Sequence, residues 1–522
     1  MLRGSTALGK NLILAALVVL PVIAQNAGSS RHSPQEAPVT TLRSATRQVV
    51  LDVVVTDQSG RPVSNLTRND FTITEDKNPQ IIALFERPDQ HRYEISTVED
   101  KARERERIEH SVSPALTILV IDALNTELQD TAYAREVVRK YLHTHGPRLP
   151  QPTALMVVTD SQLELIHDYT DDADLLQDAL KRHAAEFPLR QGANHATPGD
   201  LDRLADTLHY LEQIAAANMN FAGRKNVIWI GHGFPAVNLA QPSLSGARGV
   251  AGPHGDLRRR LMTAVSTTAN EMWDSRLAIY TIDPQGLKAL GPGAMDIPSG
   301  MKAFENIAAQ TGGKSFFNRN DADVALADSV DDGADYYTLS YYPTNKTWDG
   351  KFRNIQVTLA RPGLEARTRS GYYAAPDLPD TDAKIDSELA DAVKNPLPYR
   401  GLDITVSYKI LRGTPRMTRY VVAVDRHNLG WQAVPDGDRH CNVKAVVMSV
   451  SRKDPVVEND IKALVGTVKS GKFEKEMDNP MMFTFSAELP ADATRLRVVV
   501  RDDRTGNIGT ADLSVGGPAN DR

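Results

Sequence analysis

An aspartate, Asp122, stands at the carboxyl end of the apolar run Leu116-Thr-Ile-Leu-Val-Ile121, and Asn125 and Thr126 follow in a short polar turn. A carboxylate and a hydroxyl at that place can accept the free N–H groups that open the next helix. They can equally present oxygen to a molecule outside the fold. A second candidate is His232, set between Gly231 and Gly233 after the run Arg224-Lys-Asn-Val-Ile-Trp-Ile230. It can be a bland surface imidazole, a transition-metal ligand or part of an oxyanion-binding loop. Asp283, after Leu277-Ala-Ile-Tyr-Thr-Ile282, is a third polar group at the end of an apolar run.

Motif spacing removes several enzyme classes. The region holding these runs has no Gly-x-Ser-x-Gly pentapeptide to place a nucleophile on a tight strand-to-helix turn. His-Glu-x-x-His and the Gly-x-x-x-x-Gly-Lys-Ser/Thr phosphate loop are absent. Gly291-Pro-Gly293 lacks the third glycine of a dinucleotide site. His143-Thr-His145 reads as a helix end, where polar or cationic side chains are favoured. Trp229 and Phe234 read as packing residues, and Phe234-Pro235 beside a glycine turn suits an exposed apolar contact.

The elements that must position these groups alternate. Leu116–Ile121, Thr153–Thr159, Arg224–Ile230, Leu277–Ile282 and Lys314–Phe317 read as buried strands. Between them Glu127–Leu142, Asp171–Phe187, Gly199–Ala217, Leu257–Trp273, Met301–Thr311 and Ala322–Val330 have helical period. Leu163–Asp168 follows Thr159 so closely that it must be an antiparallel edge strand, and Ala236–Gly255 reads as a Gly-rich flexible loop. The fold class is thus an α/β doubly wound, Rossmann-type sheet over residues 114–332. In such sheets ligands bind outside the carboxyl ends of the strands, where Asp122 stands.

Short strands punctuated by Gly, Asn, Asp and Pro flank this region. Residues 45–95 form an N-terminal β unit resembling the immunoglobulin-like modules of bacterial surface proteins. Glu99–Glu109, with alternating charge, reads as an exposed linker or helix. Residues 335–375 supply three strands, too few for a core of their own. They are expected to complete the N-terminal unit, with Phe71 and Phe85 touching Tyr337 or Val357. Residues 376–400 read as a linker with a short helix, and 401–517 as a separate β-sandwich.

The chain has 522 residues, 41% hydrophobic and 24% charged, with a net charge of −6, so no nucleic-acid partner is expected. Arg3 and Lys10 precede the apolar run Leu12–Ala24, and Val22-Ile-Ala24 fits a signal-peptidase site. Residues 1–24 are therefore expected to be a signal peptide, the alternative being an uncleaved anchor. Residues 25–44 read as a flexible tether, and no transmembrane span is expected in the mature chain. The lone Cys441 allows no internal disulfide, which suits a bacterial periplasmic or extracellular protein.

The order of strands and helices resembles a von Willebrand factor type A (vWA) domain. Asp122-Ala-Leu-Asn-Thr126, Gly223–Pro235, Tyr280–Gly286, Tyr336–Pro343 and Gly371-Tyr-Tyr373 look like the VWFA-related proteins common in acidobacteria. That family holds a divalent cation, commonly Mg2+, with Asp-x-Ser-x-Ser, a later Thr and a final Asp, leaving one position for a partner's carboxylate. Here Asp122 matches the first Asp, Leu124 replaces the first Ser, Thr126 stands for the second, and Thr197 is the later Thr. Gly231 or His232 occupies the final Asp position, while Asn125 and Asp283 add oxygen donors nearby. The resemblance implies a degenerate adhesion site, with the cation weakly bound or absent, on an exported non-enzymatic recognition protein. Its partner would be a protein or peptide met by Asn125, His232 and Phe234. The alternative is a metal-assisted hydrolase using His232, Asp122 and Asp283. A scaffold without a discrete site is the third reading.

Overall fold

The computed structural model describes residues 47–91, 114–186, 200–221, 223–232, 253–286, 299–376, 381–411, 417–451, 457–458, 461–490 and 492–515. The expected signal peptide and tether, Glu99–Glu109, Thr197, Phe234 and most of the loop Ala236–Gly255 lie outside them. No helix among the described residues is long and apolar enough to cross a membrane.

The chain opens with β1 (Val49–Asp57), β2 (Phe71–Glu75), β3 (Asn78–Gln80) and β4 (Ile82–Glu86). Asp76 and Lys77, both at positive φ, turn β2 into β3 as a hairpin. β1 is buried along most of its length. That is more than an antiparallel strand with one wet face would be, and the α/β unit that covers its second face is the reason.

That unit comprises β5 (Leu116–Asp122), α1 (Leu128–His145), β6 (Arg148–Val158), β7 (Leu163–Asp172), α2 (Ala173–Glu186) and α3 (Asp200–Asn218). It continues with β8 (Lys225–Ile230), α4 (Pro253–Asp274), β9 (Leu277–Ile282), α5 (Ser299–Thr311), β10 (Ser315–Phe316) and α6 (Ala322–Ala334). The strands form one six-stranded sheet in the order β10-β9-β8-β5-β6-β7. All pairs are parallel except β6 with the edge strand β7. Because side chains alternate across a strand, Ile118 and Val120 face α3 and α4, while Leu119 and Ile121 face α1 and α6. Burial on both faces explains the unbroken apolar runs. The chain leaves β5 toward β6 and β7, then returns to lay β8 on the other side of β5. The winding reverses between β5 and β8, and a crevice forms at such a switch point.

After the sheet come β11 (Tyr337–Tyr341), β12 (Phe352–Leu359), β13 (Leu364–Arg367) and β14 (Gly371–Tyr373). They interleave with the first four strands, giving sheets β13-β1-β11-β4 and β14-β12-β2-β3. The Phe71 ring lies 5.0 Å from that of Tyr337, and the Phe85 ring 5.9 Å from it. The α/β unit is inserted in one two-sheet body that neither flank could build alone.

The segment read as a linker holds α7 (Asp382–Lys394), capped by Thr381, whose hydroxyl accepts from the Lys384 amide at 3.2 Å. Its apolar side packs on the last body rather than spanning free solvent. That body contains β15 (Ile404–Ile410), β16 (Met417–Val424), β17 (Gln432–Ala433), β18 (Arg439–Ser451), β19 (Val457–Glu458) and β20 (Lys462–Val468). It ends with α8 (Phe473–Glu476), β21 (Met481–Glu488), β22 (Ala493–Asp502) and β23 (Ile508–Ser514). A sheet β15-β16-β21 shares a core with a second sheet built on β18, β22 and β23.

Candidate functional site

The switch point brings together the ends of β5, β8 and β9. Asp122 is fully buried. Its Oδ1 accepts from the backbone amides of Leu124 at 3.0 Å and Asn125 at 2.8 Å. Its Oδ2 accepts from the Trp229 indole N–H at 3.0 Å. Burial raises the Asp122 carboxyl above the usual carboxylate range, and these donors pull it part of the way back. Asp122 does not cap α1, which begins at Leu128 with Glu127 as its flanking residue. It shapes the loop before that helix, and the surface cannot use the carboxylate itself.

The half-buried loop Ala123–Thr126 forms the rim above it. Asn125 Nδ2 donates to the Thr207 hydroxyl of α3 at 3.2 Å. Thr126 Oγ1 accepts from the His232 backbone amide at 3.0 Å. The His232 ring pairs with Asp130 in the first turn of α1, and Gln285 Nε2 lies 2.9 Å from its ring nitrogens. Asp283 is buried, and its Oδ1 accepts from the Gln285 amide at 3.0 Å. Asn125, Thr126 and His232 are thus brought together. Asp122 is held beneath them, while Asp283 accepts from its own turn and donates its amide N–H to the Phe316 carbonyl of β10.

Gly231 explains the closeness of the two strand ends. A Cβ there would lie 2.5 Å from Asp122 Cβ and 2.6 Å from Thr126 Oγ1. No aspartate fits at Gly231 without prising β8 from β5. Asp122 and Thr126 also offer few free lone pairs to a divalent cation, which needs them at about 2.0–2.6 Å. The N–H groups of Trp229 and His232 already point at the oxygens that would serve. Gly231→Ala should therefore destabilise the protein by about 1–3 kcal/mol, as forced overpacking does, measured by urea melts.

Three groups escaped sequence reasoning. Asp130 hid among the ordinary polar residues of a helix, and Gln285 lay in a turn whose partner is distant in sequence. Trp229 was readable only as packing. The available signal was chemical: a buried indole needs an acceptor for its N–H.

No family model and no curated protein matches the chain. Solved structures similar to parts of it include the manganese-loaded TRAP protein of Plasmodium vivax. It has TM-score 0.25 and 8% identity, covering 49% of this chain and 93% of that one. A mutant of the PilB minor pilin from Streptococcus sanguinis has TM-score 0.25 and 9% identity, covering 54% and 77%. The SpRpn10 VWA domain has TM-score 0.15 and 14% identity, covering 33% and 88%. Scores this low carry no argument about the fold or the site, which rest on the strand order and contacts above.

Proposed function

We propose that this chain is an exported, non-enzymatic recognition protein whose α/β unit is of the von Willebrand A type. It binds a protein or peptide partner through the rim of Asn125, Thr126 and His232 at the β5/β8 switch point. One observation carries this reading: the rim's polar groups are half-exposed, yet each is pinned by a second element. Such preorganisation suits recognition, because little conformational freedom is left to lose on binding. Phe234 and Thr197 join the proposed contact surface on sequence grounds alone. The strand order supports the von Willebrand type, and the charged and apolar N-terminal pattern supports export to the periplasm or beyond.

In this proposal the rim works without a metal, because the oxygens of Asp122 and Thr126 are already engaged by N–H donors. The hydrolase reading gains nothing from the geometry. Among the described residues the His232 ring meets Asp130 and Gln285, not the Asp122 and Asp283 that this reading required.

The test is affinity capture from envelope extract with the mature protein, in the presence and absence of chelator. Asn125→Lys and His232→Ala should each reduce capture of the same partner at least tenfold while leaving the melting curve nearly unchanged. Chelator should have no effect. Equal capture by both variants would reject the rim as the contact surface, and loss of capture with chelator would restore the cation.

A further inference from the structure

Away from the rim, α3 and α4 meet the C-terminal body, and the meeting surface is unusually acidic. α7 belongs to that body. Ile385, Leu389, Ala392 and Val393 pack with Val446, Met448 and Val499 of its larger sheet. The buried Arg501 bonds Glu388 at 2.8 Å, fixing the helix further. Toward the α/β unit the contact is mainly polar, and Arg400 pairs with Asp168 of β7 and lies over the Phe221 ring. Asn395 Nδ2 donates to the Gln213 carbonyl at 3.0 Å, and Ala216 of α3 packs against the α7 cluster.

Between these contacts lies a cavity of about 360 Å3. Its wall carries Glu212 and His209 from α3, Glu271 from α4, and Glu388, Asp391 and Lys394 from α7. Tyr399 closes one side. Glu388 is neutralised by Arg501, and Glu212 accepts from the Thr268 hydroxyl at 2.5 Å. Among the described residues no donor reaches the Glu271 carboxylate. It faces Glu212, Asp391 and, on its own helix, Asp274. Three helices from two bodies thus turn carboxylates toward one cleft, with Lys394 and His209 also on its wall.

We propose that this junction is a proton-operated latch: the C-terminal body stays docked on α3 and α4 while the Glu271 carboxyl carries a proton, and loosens when Glu271 ionises against Glu212 and Asp391. Burial, then Glu212, Asp274 and Asp391, push the Glu271 carboxyl up to about 8. The docked state therefore binds a proton that an undocked, solvated glutamate releases near its ordinary value of 4.5. The stabilisation is full below that ordinary value, declines as pH rises between the two, and is gone above the raised value. Each pH unit across that window changes the docked-to-loosened ratio by up to tenfold.

Hydrogen exchange of the whole mature protein reads this directly, with rates corrected for intrinsic pH dependence. Amides of α7 and of the second half of α3 should lose at least tenfold in protection between pH 5.5 and 8.5, while β5 and β8 keep theirs. Glu271→Gln imitates the protonated side chain and should hold protection constant across that range. Glu212→Gln, which removes one repelling charge, should move the loss to higher pH. An imidazole can titrate in the same window, so His209→Gln is measured alongside and should behave like the wild type. The latch is overturned if the wild type shows no loss of protection, if Glu271→Gln keeps the wild-type loss, or if His209→Gln abolishes it.

Discussion

Asp52→Ala should lower stability by about 3–5 kcal/mol, the usual cost of stranding a buried charge. Asp52 lies on β1, in the β13-β1-β11-β4 sheet of the interrupted body, and Arg276 stands between α4 and β9 at positive φ. The guanidinium Nε donates to Asp52 Oδ2 at 3.0 Å, Nη2 bonds the other carboxylate oxygen, and Nη2 also donates to Thr338 Oγ1 at 3.0 Å. Thr338 in turn lies 3.3 Å from His91, whose ring stacks on Tyr336 at 4.3 Å. This cluster joins the inserted α/β unit to the strands on both sides of the insertion. Removing the carboxylate leaves Arg276 buried without its counter-charge. Asp52→Ala with Arg276→Met should recover most of the loss, because an apolar pair avoids desolvating two ions.

The same pair fixes an acid response. Burial alone would raise the Asp52 carboxyl, but the charge and hydrogen bonds of Arg276 outweigh it and hold the group below 3.8. Its contribution is therefore present above that ordinary value and is lost as pH falls through the lower folded value. Urea melts between pH 2 and 6 should show a steep acid loss in the wild type and a shallower one in the double variant. A cost under about 1 kcal/mol for Asp52→Ala would mean that water replaces the carboxylate and that the pair is not what joins the two units.

How far the sequence discloses the molecule depends on the distance over which each feature is encoded. The switch-point sheet was readable because strands buried on both faces leave apolar runs, and Leu116–Ile121 is such a run. The shared two-sheet body was readable by a counting argument, since three late strands cannot close a core. The β20 strand, Lys462–Val468, leaves a weak sequence signal because its burial is mixed and its exposed Val465 breaks the pattern. α7 looked like a linker helix because the sheet that covers it lies about fifty or more residues downstream. At the site, Asp122 was visible by position, but its state was not. Trp229 and Asp122 are 107 residues apart, and only tertiary contact shows that the indole donates to this carboxylate.

Asp122→Ala is the second large effect expected, a loss of about 3–4 kcal/mol. The substitution strands the Trp229 indole N–H and the amides of Leu124 and Asn125 together, and a buried donor left without an acceptor costs about 1–3 kcal/mol. Asp122→Asn separates this account from metal ligation. The asparagine oxygen can still serve the two amides, but its NH2 then faces the Trp229 N–H, donor against donor. Asp122→Asn should therefore cost less than Asp122→Ala but still about 1–3 kcal/mol, and adding Trp229→Phe should recover part of that loss relative to Asp122→Asn alone. A cation ligand behaves otherwise. It tolerates asparagine in the metal-free protein and shows its loss only when metal is added. Thermal melts of the three variants with and without millimolar Mg2+, Mn2+ or Ca2+ decide the matter. The wired carboxylate predicts coupling between positions 122 and 229 and no metal-dependent shift. A rise in wild-type melting temperature on adding metal, abolished by Asp122→Asn at little cost to the metal-free protein, would return Asp122 to the surface as a ligand.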